Sequence, residues 1–220
     1  NRSELIEVAT FRSGVDKNNE GNLIKDQSGK IIRDNIWGTI EQDTYRRDFT
    51  VNALYYCPVS KKIVGHKKGL RDIHQKNIVS IGDPIKRFAE DPVRSLRAIR
   101  FSNKLKFNID KRVKEAIYEK GYLLSNISNA RLFDEFCKIF LSGMAEKNFN
   151  KLFSYGLNKY LISTEPEKNE FTKKLIAESL RNTDTRIKNL QSVTPGFLIA
   201  ALLWPELLEK SVMKNEINLR

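Results

Sequence analysis

The sequence predicts an α+β fold, with a β-rich part over residues 1–80 and helices from there to the end of the chain. Three observations carry this. "ELIEVATFR" (4–12) alternates as a half-buried strand does. Short apolar runs bounded by Gly, Pro and Asn continue as far as Pro84. Beyond Pro84, six segments carry apolar residues at helical spacing.

In the first strand Leu5, Glu7, Ala9 and Phe11 share one face, and Ile6, Val8 and Thr10 the other. "SGVDKNNEGNLIKDQSGK" (13–30) is a polar loop, long enough to be mobile or functional. "NALYYCPVSKKIVGH" (52–66) reads as two strands joined by a turn at Pro58–Lys62, and "NIVSIGDP" (77–84) as a strand ending in a Gly-Asp-Pro break. The helical segments are 87–105, 111–124, 130–143, 150–162, 170–183 and 195–210. In the third, Leu132, Phe133, Phe136, Ile139 and Phe140 form the apolar stripe, with Ser128 or Asn129 as N-cap and Gly143 as stop. Tyr55, Tyr56, Phe133 and Phe140 are expected in the core.

The 220 residues carry 39 basic and 27 acidic side chains, a formal charge of +12. That excess favours a polyanionic partner, nucleic acid first and an acidic membrane surface second. With 2 Cys in no CxxC spacing and 2 His, a Cys/His zinc site is nearly excluded, and Cys57 and Cys137 are expected as buried, reduced thiols. No apolar run approaches the length of a membrane span, and nothing resembles a signal peptide. The chain starts at Asn1, almost directly in a strand-like run, so it reads as missing its natural N-terminus.

Two stretches bear chemistry. In "EDPVRSLRAIRF" (90–101), at about 100° per residue, Val93, Leu96 and Ile99 form an apolar arc, with Arg94 and Arg97 together outside it. Arg100 projects into the arc and must find an acceptor: a carboxylate, a carbonyl or a phosphate. Asp91, before Pro92, reads either as a helix N-cap or, with Arg94, as a reader of nucleotide bases. The arginines read either as a solvated face or as that same reader. In "EQDTYRRDFTVNALYY" (41–56), Asp48 is either a charge partner of Arg46 or Arg47, or one of several carboxylates around divalent ions in a phosphoryl-transfer site. One carboxylate cannot build such a site. The chain has no Asp-x-Asp pair and no Gly-rich phosphate loop; Glu41-Gln42-Asp43 comes nearest, but no Gly-Ser element precedes it, and it is discounted.

"RRDFTVNALYY" followed by "EDPVRSLRAIRF" resembles the class II nucleotidyltransferases of the DNA polymerase beta superfamily, the bacterial poly(A) polymerases and CCA-adding enzymes. "IEVATFR" and "IGDPIKRFAEDP" look like the same family. "LLSNISNARLFDEFCKIFLSG", "NTDTRI" and "PGFLIAALLWPELLE" are similar to the neck and body of bacterial poly(A) polymerase and favour that branch. The resemblance implies the C-terminal remainder of a nucleotidyltransferase head (1–80, a short β-sheet), then a helical neck with a nucleotide- and RNA-binding motif (81–143) and the start of a helical body (144–220).

Carried onto this sequence, the resemblance makes Asp48 the third catalytic carboxylate. It puts Arg47 on the incoming nucleotide, Asp91 and Arg94 on the base, and Arg97 and Arg100 along the same pocket. Glu7 is a reserve candidate near the metals. The family's Asp-x-Asp metal pair lies N-terminal to "IEVATFR", so the principal metal ligands are unknown here and this chain alone is expected to be inactive. The full protein is expected to add AMP from ATP to an RNA 3′-OH, releasing pyrophosphate with two Mg²⁺ ions and no template. The implied partners are ATP and RNA 3′ ends, with no membrane, in the bacterial cytoplasm. The alternatives are CCA addition to tRNA and a non-catalytic RNA-binding remnant. Lys104, Lys106, Lys111, Arg112 and Lys114, with Lys61, Lys62, Lys67, Lys68 and Arg71, are expected to supply salt-sensitive, sequence-tolerant RNA contacts.

Overall fold

A computed structural model describes residues 6–13, 24–25, 31–33, 37–162 and 169–218. Contacts divide the chain into two units, 1–83 and 84–220.

In the first unit, β1 (Ile24–Lys25) pairs antiparallel with β2 (Ile31–Arg33), so a short ladder begins inside the stretch expected as a polar loop. The strand expected over 4–12 is not present in its described residues, 6–12. They make one isolated bridge, Arg12 to Trp37, and Ile6 and Val8 are 86% and 92% exposed. Alternation marks a strand's faces but supplies no neighbour, and without a ladder the backbone gains nothing from extension. Glu7 is accordingly an exposed residue outside any strand.

Thr39 starts α1 (Ile40–Arg46) with a capping box: the Gln42 amide donates to Thr39 Oγ1, and the Thr39 amide to Gln42 Oε1. A 3₁₀ turn (Thr50–Asn52) leads into the hairpin of β3 (Leu54–Cys57) and β4 (Lys62–Gly65), registered Tyr55 to Val64 and Tyr56 to Ile63. Gly65 ends it at φ 128°, where a Cβ would stand 2.2 Å from the Ala53 carbonyl oxygen; only glycine fits. Then come α2 (Gly69–His74) and β5 (Asn77–Ile78). Phe49, Ala53, Ile78 and Ile81 form the buried centre. Beneath it Thr50 Oγ1 donates to the buried Asp72 carboxylate at 2.8 Å, satisfying an acid that burial would otherwise penalise.

The second unit is helical: α3 (Pro84–Glu90), α4 (Val93–Leu105), α5 (Lys111–Lys120), α6 (Asn129–Phe140), α7 (Ala145–Ser154), α8 (Glu170–Lys188) and α9 (Pro195–Asn218). The segment expected as one helix over 87–105 is divided at Asp91–Pro92, because the proline has no amide to continue the ladder of α3. α3 packs on α5, and α4 on α6 and α7; α7 continues onto α8, and α8 onto α9. Val93, Leu96 and Ile99 are buried as the wheel predicts. The helix expected over 150–162 stops at Ser154: the chain turns left-handed at Gly156 (φ 66°), and a 3₁₀ turn follows at Asn158–Tyr160. Asp184 of α8 caps α7 from outside, accepting from the Ala145 and Glu146 amides at 2.6 and 3.2 Å.

Several core expectations need correction, and Tyr55 is only half-buried. Phe133 is 46% exposed, because α6 turns Glu135, Phe136, Ile139 and Phe140 inward and leaves its neighbour at the rim. Tyr56 is 63% exposed, since strand alternation sends it opposite to Tyr55. Cys57 and Cys137 are half-buried thiols. Among the described residues no helix is long and apolar enough to cross a membrane.

Candidate nucleotide and RNA interface

In the first unit the arginine pair is organised by a residue that its local sequence does not mark. Asp43, 2% exposed on α1, accepts from Arg46 Nε at 2.7 Å and from Arg47 Nη2 and Nε at 2.9 and 3.1 Å. The Tyr55 hydroxyl donates to the same carboxylate, and so does the Arg12 amide at 3.2 Å. Burial alone would raise the Asp43 pKa; the bonds from Tyr55, Arg46, Arg47 and the Arg12 amide outweigh it and hold the carboxyl well below the usual range. Burial likewise opposes the Arg47 charge, but its bonds to Asp43 and Tyr55 prevail and raise its pKa. The Arg47 guanidinium also lies 5.3 Å from the centre of the Tyr55 ring.

Asp48 stands apart from this knot. It is 6% exposed, and its Oδ1 accepts from the Phe49 amide at 2.8 Å and from Asn52 Nδ2 at 3.0 Å. Its carbonyl accepts from the Ile81 amide at 3.0 Å, tying the motif to the strand-like return of the chain. Asp43, one turn upstream, therefore pairs with both Arg46 and Arg47.

In the second unit Asp91 sits at the corner between α3 and α4. Its Oδ1 accepts from the Val93 amide at 3.3 Å, a capping contact, and its Oδ2 accepts from Arg131 Nη2 of α6 at 2.8 Å. Arg94, 12% exposed, donates from Nη1 to the Arg87 carbonyl at 2.8 Å and lies 3.7 Å from Glu90. Arg97 lies over the Phe101 ring at 5.6 Å and Arg100 at 4.4 Å. The inward aim of Arg100 meets an internal carboxylate: its Nε is 3.9 Å from Oε2 of Glu135, a buried acid on α6 that also accepts from Lys138 at 3.0 Å. Arg131 and Glu135, four apart on α6, thus reach Asp91 and Arg100, which bracket Arg94 and Arg97. A glutamate inside an apolar helical stripe was the available signal for this.

Among the described residues no group of three or more His, Cys, Asp or Glu side chains is placed to hold a metal ion. Asp48 brings one carboxylate, whereas a two-metal site draws on several hard oxygen ligands. The described residues therefore do not by themselves fit the expected Mg²⁺ site.

Two family models match. That described as "Poly A polymerase head domain" covers residues 1–79, and that described as "Probable RNA and SrmB- binding site of polymerase A" covers 106–171. Poly(A) polymerase I of Haemophilus influenzae is 42% identical over 97% of this chain and 49% of its own length. A CCA-adding enzyme of Lactococcus lactis is 32% identical over 72% of the chain and 38% of its own length. The solved CCA-adding enzyme of Thermotoga maritima, complexed with tRNA, superposes with a TM-score of 0.60 at 27% identity, covering 75% of this chain and 41% of that one. The chain spans about half the length of the curated poly(A) polymerases it matches. With its mixed first unit, helical second unit and both motifs in family order, the chain belongs to the poly(A) polymerase family of nucleotidyltransferases.

Proposed function

We propose that this chain is the nucleotide-reading and RNA-holding part of an RNA 3′-end adenylyltransferase. In that reaction the RNA 3′-oxygen attacks the α-phosphorus of ATP, a new phosphodiester forms, and pyrophosphate leaves. The observation that carries the reading is the extent of the likeness. Identity to proteins named Poly(A) polymerase I runs over 94–97% of the chain, against 56–72% for the bacterial CCA-adding enzymes.

The side chains have roles consistent with it. Arg47, pre-set by Asp43 and Tyr55, offers fixed positive charge to a triphosphate. Asp48 contributes the third catalytic carboxylate. Asp91 and Arg94 read the base, since a carboxylate accepts from an exocyclic amine and a guanidinium donates to ring nitrogens. Arg97 and Arg100 keep the pocket wall positive. The basic surface holds RNA through phosphates, so binding tolerates any sequence.

The test uses the full gene product with ATP alone or with ATP plus CTP, on tRNA lacking its CCA end and on unstructured RNA. Long A tails without CTP incorporation are expected. Faithful C-C-A addition would move the protein to the CCA branch, and no incorporation on either RNA would leave the non-catalytic remnant. Base reading is tested by Arg94→Ala: ATP preference over the other nucleotides is expected to fall about tenfold or more, the scale of one two-pronged base contact. RNA affinity should stay within about twofold of the parent, because phosphates and not this base dominate it. Unchanged ATP preference would remove Arg94 from the pocket.

A further inference from the structure

Away from the α4 row, the second unit brings two lysines and two tyrosines together. α5 buries Val113, Ala116 and Ile117, which leaves Lys114 and Tyr118, one turn apart, on its exposed side. α7 buries Phe149 and Leu152, and Lys151 and Tyr155, again one turn apart, lie at its edge. Just beyond the ends of the two helices Gly121 and Leu157 come close: a Cβ at Gly121 would stand 2.7 Å from Leu157 Cδ2. The Tyr118 and Tyr155 rings lie 5.2 Å apart, tilted by 38°.

Lys151 is built in. Its Nζ donates to Ser102 Oγ of α4 at 2.7 Å, and that hydroxyl donates onward to the Ile99 carbonyl at 2.8 Å. Burial, and then the neighbouring Lys114 charge, push the Lys151 pKa down. Among the described residues no carboxylate forms an ion pair with either lysine. A half-buried ammonium fixed by one hydroxyl, on the same side as a second lysine one turn from Tyr118, lacks a compensating charge, and an arriving anion relieves that cost. Beside it, Tyr118 leaves 66% of its surface in water, an exposed aromatic face at the edge of a cationic site.

We propose that Lys114, Lys151 and Tyr118 form a single-stranded RNA subsite, the two ammonium groups on one phosphodiester and the Tyr118 ring under the adjoining base. Stacking on an aromatic ring beside a cationic groove is sequence-tolerant, because every base has a π-face. The subsite rests on the reading of RNA as substrate and gives residues 106–171, matched above to an RNA-binding model, a specific set of contacts.

The experiment measures equilibrium binding of labelled oligoadenylate and oligouridylate to the full gene product across a salt series. Tyr118→Ala should weaken both about tenfold, the effect of losing one base stack, and Tyr118→Phe should keep them near the parent. Lys114→Ala and Lys151→Met combined should reduce the slope of log affinity against log salt by about 0.7, the share of one phosphate contact, and each alone by less. Thermal melts monitor the fold; Lys114 and Tyr118 are exposed, so their variants carry the test if Lys151→Met unfolds. Unchanged affinity and slope in a folded Lys114→Ala/Tyr118→Ala double variant would overturn the subsite alone, provided the parent extends RNA. A parent that neither binds nor extends RNA overturns the functional reading as well. Retained RNA affinity with lost binding to polyglutamate would make the surface a protein-docking face and overturn the RNA assignment.

Discussion

Asp48→Asn in the full gene product is expected to cut the turnover number for nucleotide addition at least about a hundredfold, the scale on which a preorganised charge acts in a reacting centre. The substitution separates chemistry from folding. Asparagine keeps an oxygen where Oδ1 stands, so the bonds from the Phe49 amide and Asn52 Nδ2 survive, and the carbonyl bond from Ile81 does not depend on the side chain. The negative charge is lost, and an NH₂ donor takes the place of Oδ2. Melting temperature should move by no more than a few degrees, and RNA affinity should hold. Turnover within about threefold of the parent, in a protein with an unchanged melt, would show that Asp48 is an ordinary capping carboxylate and not part of the reacting centre.

Much of this was legible because its signals are local. The change from short bounded runs to helical spacing at Pro84 coincides with the boundary between the two units. The hairpin Leu54–Gly65 follows from two apolar runs around a Pro-Val-Ser-Lys-Lys turn. Val93, Leu96 and Ile99 are buried because a helix wheel needs no knowledge of neighbours. Even the anomaly of Arg100 was visible, as a charge in an apolar arc. Its partner was not: Glu135 lies on another helix, and nothing near Arg100 points to it.

What escaped was non-local or short. A strand over 4–12 needs a ladder partner, and alternation cannot say whether one exists. α1 has seven residues, too few to show an apolar period, and its one sequence signature was the Thr39–Gln42 capping box. Asp43 reads as one acid among the charges of that helix. Its importance comes from Tyr55, twelve residues on, and from the Arg12 amide, thirty-one residues back. Asp43, which holds both arginines, lies in the Glu41-Gln42-Asp43 stretch that was discounted, while Asp48 drew notice through its place beside the arginines and in the RRDFT motif.

Asp43→Ala tests that reversal. Chemical denaturation of the first unit's signal is expected to show a loss of about 2–4 kcal/mol, below or within the range for breaking a buried pair from one side. The lower part of that range is favoured because Arg46 and Arg47 leave 36% and 38% of their side chains exposed, and water takes over part of their lost bonding. The Tyr55 hydroxyl and the Arg12 amide lose an acceptor too, which keeps the cost above that of a surface ion pair. Asp43 also predicts a pH dependence. Its folded pKa lies below the unfolded value of 3.8, so the folded state binds fewer protons. The contribution is complete well above that value and is lost as pH falls through it towards the folded pKa. The parent should therefore lose stability progressively below about pH 5, and Asp43→Ala should lose less over the same interval. Nucleotide binding supplies the functional arm: with Arg47 released from Asp43 and Tyr55, KM for ATP should rise about tenfold while RNA affinity holds, since Arg47 must be reordered at each encounter. A variant as stable as the parent, with the same acid profile and the same KM, would mean that the Asp43 knot orders nothing and that Arg47 is held by other contacts.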